Sequence, residues 1–328
     1  MIRLFKNTQL TVVSHLHATA KNLPGLLLAA GTILFTVSCS DSDQASTELK
    51  IDSALGQAVF ALPEDAANAF TLALRNGDKE MFSKLLGPDF RAVLPPGKVD
   101  DEDVENYLSA WDESNSLLPQ GEHKMLIAIG EGEWTLPIPI SAGDSGWYFD
   151  IEEGRERMGI RRIGRNELST MQAVLAYYDA QMEYAQQDHN GNGMLEYAAK
   201  FISTPGTQDG LFWEVASGET HSPLGPLMAD NTPGGGYHGY FYRILHSQGE
   251  SAKGGAYSYM LGDKMRAGFA LVAWPKEYGE TGVMSFMVSH SGIVYEQNLG
   301  PDGAEIAAEI TSYNPDEGWL PAKEVSGP

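Results

Sequence analysis

From position 168 onward, Leu168, Met171, Leu175, Tyr178 and Met182 step by 3, 4, 3 and 4 residues. That is the period of one face of an α-helix, so an apolar stripe runs along about 30 Å of helix axis. A stripe of that length demands cover, and the expectation is that it faces the core. Asn166 stands where an N-cap would start this helix. A loop follows Asp188, then a short helix over residues 197–202. From Gly239 the pattern changes to strands over 240–246, 256–261, 268–273, 283–289 and 293–298, separated by glycine-rich turns, with Ser291-Gly292 making one of them tight. A last helix covers about 304–313. The second half therefore reads as a long helix packed on an antiparallel β-meander.

The first half has a different order. Residues 57–87 read as helical, with Pro63-Glu64-Asp65 suited to a first turn and a break at Asn76-Gly77-Asp78. Residues 101–113 form another helix, with Val104, Tyr107, Leu108 and Trp111 on one face. Residues 124–130 and 134–140 then read as an antiparallel hairpin, and 146–151 as a third strand. Helices followed by a hairpin make an α+β layout. By layout it resembles the cone-shaped nuclear-transport-factor-two-like fold, which implies a curved sheet wrapped on a helix.

The termini and the charge address location. Residues 1–25 hold Arg3, Lys6 and Lys21 and no acid, and an apolar run over 26–37 ends in Ser38-Cys39. A basic start, an apolar stretch too short to span a bilayer and a small residue at its end make a secretory signal. Thr36-Val37-Ser38-Cys39 resembles the bacterial lipoprotein signal, with Thr36 where Leu is usual. The resemblance implies that Cys39, the chain's one cysteine, is acylated, and Ser40 after it implies sorting to the outer membrane. The alternative is a plain secretory peptide and a periplasmic protein. The organisation expected is a signal over 1–38, acylated Cys39 and a flexible tether over 39–54, an α+β domain over 55–160, and a helix-plus-sheet domain over 161–328. With 22 Lys+Arg against 44 Asp+Glu the formal charge is −22, and loss of the three leader cations takes it to −25. Such a chain lacks the basic face that nucleic acid requires, and it would meet a membrane through its lipid alone. A lone cysteine excludes an intramolecular disulfide.

Several long runs carry a family resemblance. QQDHNGNGMLEYAAKFISTPGTQDGLFW, SPLGPL, GYFYRILHSQG, GGAYSYM, GFALVAWPKEYGETGVMSF and YNPDEGW closely resemble domain of unknown function family 2950. WTLPIPI, WYFDIEEG and RRIGRNEL upstream fit the same family, so the resemblance covers about 55–320. It implies secreted or lipid-anchored bacterial proteins and no particular activity. The long helix and following sheet also look like the globular heads of pilin-like proteins. The polar, Arg-rich segment before the helix departs from that pattern, so polymerisation through the helix is not implied.

The sharpest chemical motif is Asp188-His189-Asn190-Gly191-Asn192-Gly193-Met194-Leu195-Glu196, which matches the start of a calcium loop, D-x-[DN]-x-[DN]-G. Asp188, Asn190 and Asn192 would supply side-chain oxygens, Met194 its carbonyl, with Glu196 at the ninth place. The twelfth place is Ala199, where a bidentate Glu belongs, so a further acid such as Asp209 would be needed. The competing reading is an Asn/Gly turn that closes a helix. Arg155, Arg157, Arg161, Arg162 and Arg165 form a basic knot, read either as a salt-bridged seam between domains or as an anion site. Gly234 to Gly239 spells G-x-G-x-x-G but lies in a loop that leads to a strand, the wrong context for a dinucleotide. His221, His238, His246 and His290 lack the H-E-x-x-H spacing, and neither G-x-S-x-G nor a P-loop occurs. The late aromatics, from Tyr237 to Tyr278, read as core and cross-strand pairs or as a groove for a glycan or peptide. The functional expectation is a non-catalytic binding or assembly protein of the cell envelope with a protein partner and, as its one candidate cofactor, Ca²⁺. The alternative is an enzyme or small-ligand binder with a pocket in the first domain, lined by Trp111, Trp134 and Trp147.

Overall fold

The computed structural model describes residues 49–93, 99–214, 221–225 and 236–323. The leader and Cys39 lie outside them. The chain divides into two compact units, the division falling after Arg155. Helices and antiparallel sheets are both present, so the chain is α+β.

The first unit opens with a hairpin of β1 (Lys50–Asp52) and β2 (Gln57–Val59). Residues 57–59 were expected to be helical, and all three are instead buried in a strand. Pro63 supplies the reason. It stands in the first turn of α1 (Pro63–Asn76), and the residue before it, Leu62, is held extended at φ −127° and ψ 147°. Gly77 ends α1 at φ 61°, a left-handed cap that a side chain would strain. Asp78 then caps α2 (Lys79–Leu86) by accepting the Met81 N–H. A short α3 (Phe90–Val93) and α4 (Asp101–Glu113) follow, the latter started by a reciprocal capping box of Asp100 and Asp103.

Five strands complete this unit: β3 (Asn115–Pro119), β4 (Lys124–Ile129), β5 (Trp134–Thr135), β6 (Ile140–Gly143) and β7 (Gly146–Phe149). Their order is β3-β4-β6-β7, with β5 also paired to β4. The strand expected over 134–140 is broken into β5 and β6. Pro137 and Pro139 stand in the gap and have no N–H to give the ladder. Phe70 of α1 sits against Phe82, Tyr107 and Phe149, ring centroids 5.4, 5.9 and 5.3 Å away.

α5 (Ile151–Tyr184) is one helix of 34 residues. Asp150 starts it by accepting the Glu153 N–H at 3.0 Å. Asn166 is thus no cap. It lies in mid-helix and its amide donates to the Thr281 carbonyl at 2.8 Å. The arginine knot falls on the first half of the same helix.

In the second unit the main sheet runs β16-β15-β14-β13-β8, all antiparallel, from β8 (Tyr240–Leu245), β13 (Ala270–Pro275), β14 (Met284–Ser289), β15 (Val294–Asn298) and β16 (Leu320–Pro321). Two small hairpin pairings lie between β8 and β13 in sequence: β9 (Ser247–Gln248) with β10 (Tyr257–Ser258), and β11 (Met260–Leu261) with β12 (Lys264–Met265). A helix over Gly303–Glu309 lies between β15 and β16 in sequence. Arg243 of β8 caps it, donating to the carbonyls of Ala307, Ala308 and Ile310 while its guanidinium lies over Trp274.

The face of α5 that joins this core is not the expected stripe. Ala173, Val174, Tyr177, Ala180 and Tyr184 pack with β8, β13 and β14, and Thr170 and Gln181 are buried beside them. Leu168, Leu175 and Met182 are 48, 37 and 42% exposed, while Met171 and Tyr178 are half-buried at the margin. The small Ala173 and Ala180 suit close helix–sheet approach, and the polar members find partners inside. Tyr177 donates to the Ala270 carbonyl at 3.3 Å. Of the late aromatics, Tyr240, Tyr242, Tyr259 and Phe269 are core. Tyr240 and Tyr242 share the buried face of β8, with Phe241 on the other.

Candidate functional site

After α5 ends, the chain turns through residues 185–187 into the loop 188–196. Asp188 organises it. Its Oδ1 accepts the N–H groups of Asn190, Gly191 and Asn192 at 3.3, 2.9 and 3.3 Å, and its Oδ2 accepts that of Gly193 at 2.7 Å. Asn190 Oδ1 accepts the Asn192 N–H at 3.1 Å, and Asn192 Oδ1 the Met194 N–H at 2.8 Å. Gly191 and Gly193, at φ 71° and 80°, occupy the left-handed region that the loop's turns require. The Gly193 N–H, with those of Asn190, Asn192 and Gly191, holds the Asp188 carboxyl below the ordinary carboxylate range against a smaller effect of burial.

The far end of the loop is held from the core. Gln181, fully buried, accepts the Ala198 N–H at 2.9 Å and donates to the Ala198 carbonyl at 2.8 Å and to Tyr177 Oη at 3.0 Å. The Tyr197 N–H donates to Met265 at 2.7 Å. A helix over 197–202 would need the Ala198 carbonyl for its own ladder, but that carbonyl accepts from Gln181, while the Phe201 carbonyl and the Ser203 N–H pair with Phe212; these tertiary pairings replace the expected helix. They also place Glu196 beside Lys264, whose Nζ is 3.7 Å from Glu196 Oε1. Glu196 is 8% exposed. Its Oε1 accepts the Asn190 amide at 2.5 Å, and its Oε2 is buried with no hydrogen-bond partner among the described residues.

Asp188, Asn190, Asn192 and Glu196 are thus joined in one bonded set. Met194 lies in the same turn, and Arg266 Nη1 reaches its sulfur at 2.9 Å. Asp209 does not complete the loop. Its burial favours the neutral acid, and this is outweighed by Lys200, 2.6 Å away, and by the N–H and hydroxyl of Thr204. Among the described residues no group of three His, Cys, Asp or Glu side chains is placed to hold a metal, so any cation here would rely on amide and carbonyl oxygens.

Sequence reasoning passed over His189, which lies flat on Tyr184 with ring centroids 4.0 Å apart and near Trp213 at 5.5 Å. Its Nε2–H donates to the Tyr184 carbonyl at 3.0 Å, and Nδ1 is 3.2 Å from Gln208 Oε1. Gln208 and Trp213 in turn line a cleft of about 510 Å³ with Thr204, Thr207, Phe212 and Glu214. Trp111, Trp134 and Trp147 are half-buried residues of α4, β5 and β7 and take no part in it.

The arginines have separate surroundings. Arg155 pairs with Glu152 one turn earlier at 2.9 Å, and Arg162 binds both the carboxylate and, at 3.0 Å, the carbonyl of Glu280. Arg157, Arg161 and Arg165 recur every four residues along α5. Burial, then the charges of Arg157 and Arg165, disfavours the charged form of Arg161, and burial, then Arg162, does so for Arg165. The Ser222 hydroxyl donates to the Leu224 carbonyl at 3.0 Å, so it is engaged within its own turn. Gly234 and Gly235 of the glycine loop lie outside the described residues. Among the described residues no helix is long and apolar enough to cross a membrane.

A family model for proteins of unknown function, DUF2950, matches residues 57–322. No curated protein and no solved structure matches the chain.

Proposed function

As the chain belongs to the DUF2950 family of proteins of unknown function, we propose that it is a lipid-anchored bacterial envelope protein that binds another protein and does no catalysis. The observation that carries this reading is the row of Leu168, Leu175 and Met182 on α5, each exposed and each one heptad from the next. The row extends over about 21 Å of helix. Aliphatic side chains at that spacing form the seam by which one helix packs on another. Exposed Asp179 and Glu183 flank its Leu175–Met182 end and exposed Arg165 stands one turn before Leu168, so the occupant is a helix with its own apolar row, basic beside residues 179–183 and acidic beside Arg165. The leader pattern ending in Cys39 supports the anchor, sorted to the outer membrane, and two or more acyl chains would hold it firmly.

The test is site-specific photocrosslinking in the native envelope. A crosslinking residue at Leu175 should capture one recurrent protein, and Leu168→Lys should abolish that capture. A control position at exposed Glu250 should capture nothing recurrent. Recovery of the uncrosslinked protein alone from position 175 overturns the reading.

A further inference from the structure

We propose that the loop over residues 188–196 binds Ca²⁺ and that Lys264 competes with the ion for it. Glu196 carries the argument. A carboxylate oxygen that is buried with no partner is costly, because it has given up water and gained nothing in return. Glu196 Oε2 is in that condition, while Oε1 is fixed on the Asn190 amide of the loop. The carboxylate therefore faces the loop with one oxygen unused. Lys264, at 3.7 Å from Oε1, supplies a charge without closing on the free oxygen.

The loop offers what a cation would need. Asn190 Oδ1, Asn192 Oδ1 and Asp188 Oδ2 each accept one N–H of the loop. An sp² oxygen has two lone pairs, so each retains one for an ion. With the Met194 carbonyl and Glu196 Oε2, the set is all oxygen, with Asp188 and Glu196 as its two charges. Oxygen ligands without imidazole or thiolate select a hard cation over zinc or copper. Neutral amide and carbonyl oxygens on a flexible turn suit Ca²⁺, whereas Mg²⁺ demands strict octahedral geometry and keeps its water. Two carboxylates, with Ala199 where a bidentate acid would stand and Asp209 held by Lys200, put the affinity at the weak end, about 10⁻⁴–10⁻³ M as in extracellular modules.

The experiment is calorimetric melting of the purified protein with CaCl₂, alongside Tb³⁺ luminescence excited through the neighbouring tyrosines. At tenfold over Kd, Ca²⁺ should raise Tm of the second unit by about 3–6 °C. Glu196→Gln keeps the shape of the side chain and should remove the shift, as should Asp188→Asn. Lys264→Met should lower the half-saturating Ca²⁺ several-fold, an effect that mere loss of folding cannot imitate. No shift in the parent protein at about 10 mM CaCl₂, tenfold over the weak end of that range, overturns the proposal. So does a shift that survives in both carboxylate variants, since the ion would then sit elsewhere.

Discussion

Gln181 sits fully buried on α5 and satisfies both backbone groups of Ala198 as well as the Tyr177 hydroxyl. It is the residue through which the helix fixes the chain leaving the 188–196 loop. Gln181→Ala would strand the Ala198 N–H and carbonyl, take from the Tyr177 hydroxyl the bond it accepts while leaving the one it donates to Ala270, and open a void, at a cost of about 2–4 kcal/mol. Urea unfolding monitored by tryptophan fluorescence checks this, and a loss below about 1 kcal/mol would show that water replaces the amide. A glutamine in a helix gives no sequence signal for such a role, because polar residues are ordinarily placed on the solvent side. Glu196 was legible only as the ninth residue of a motif; its burial and its unpaired oxygen depend on Tyr197 pairing with Met265, far along the chain.

At the scale of the element, α5 shows how a correct period can lead to the wrong face. Heptad spacing identified a helix, and the helix is there. The large aliphatics were expected to be core, yet the buried row holds Ala173, Val174, Tyr177 and Ala180. Composition favours the bulkiest stripe, whereas close packing on a sheet favours small residues and aromatics whose hydroxyls find partners. The two faces make opposite predictions. Val174→Ala should destabilise the protein by about 2 kcal/mol, and Leu175→Ser should change stability by no more than about 0.5 kcal/mol. Denaturant midpoints at constant slope would decide it, and equal losses would put Leu175 back in the core. The strands β8, β13, β14 and β15 were legible to within two residues at each end. β3 was missed, and the broken strand around Pro137 and Pro139 was read as continuous because the apolar alternation runs straight through both prolines.

The whole molecule carries 44 acids against 22 Lys+Arg, and several of the acids are bonded in the folded state. Asp52 is held below the usual carboxylate range by Ser145, Asp112 by Arg75 and Asp188 by the Gly193 N–H; for Asp209 burial works the other way and is outweighed by Lys200 and Thr204. A carboxyl with a lowered folded pKa stabilises the fold above its unfolded value, about 3.9, and that contribution is lost as pH falls through the folded value. Melting temperature should therefore decline between pH 5 and pH 3, and a Tm at pH 3 equal to that at pH 5 would refute the sign. Asp112 and Asp188 are exposed and Asp52 and Asp209 half-buried, so salt screening should flatten the dependence. By itself the sequence determined the family, the α+β class, the first helical turn at Pro63, the break at Asn76-Gly77-Asp78 and the Asn/Gly turn character of the 188–196 motif, because turns and periods are local. Tertiary structure alone decided which face of α5 is covered, why residues 197–202 are not a helix, and that Glu196 is buried with an oxygen to spare. Those outcomes rest on contacts between residues distant in the chain, and no local pattern encodes which surfaces will meet.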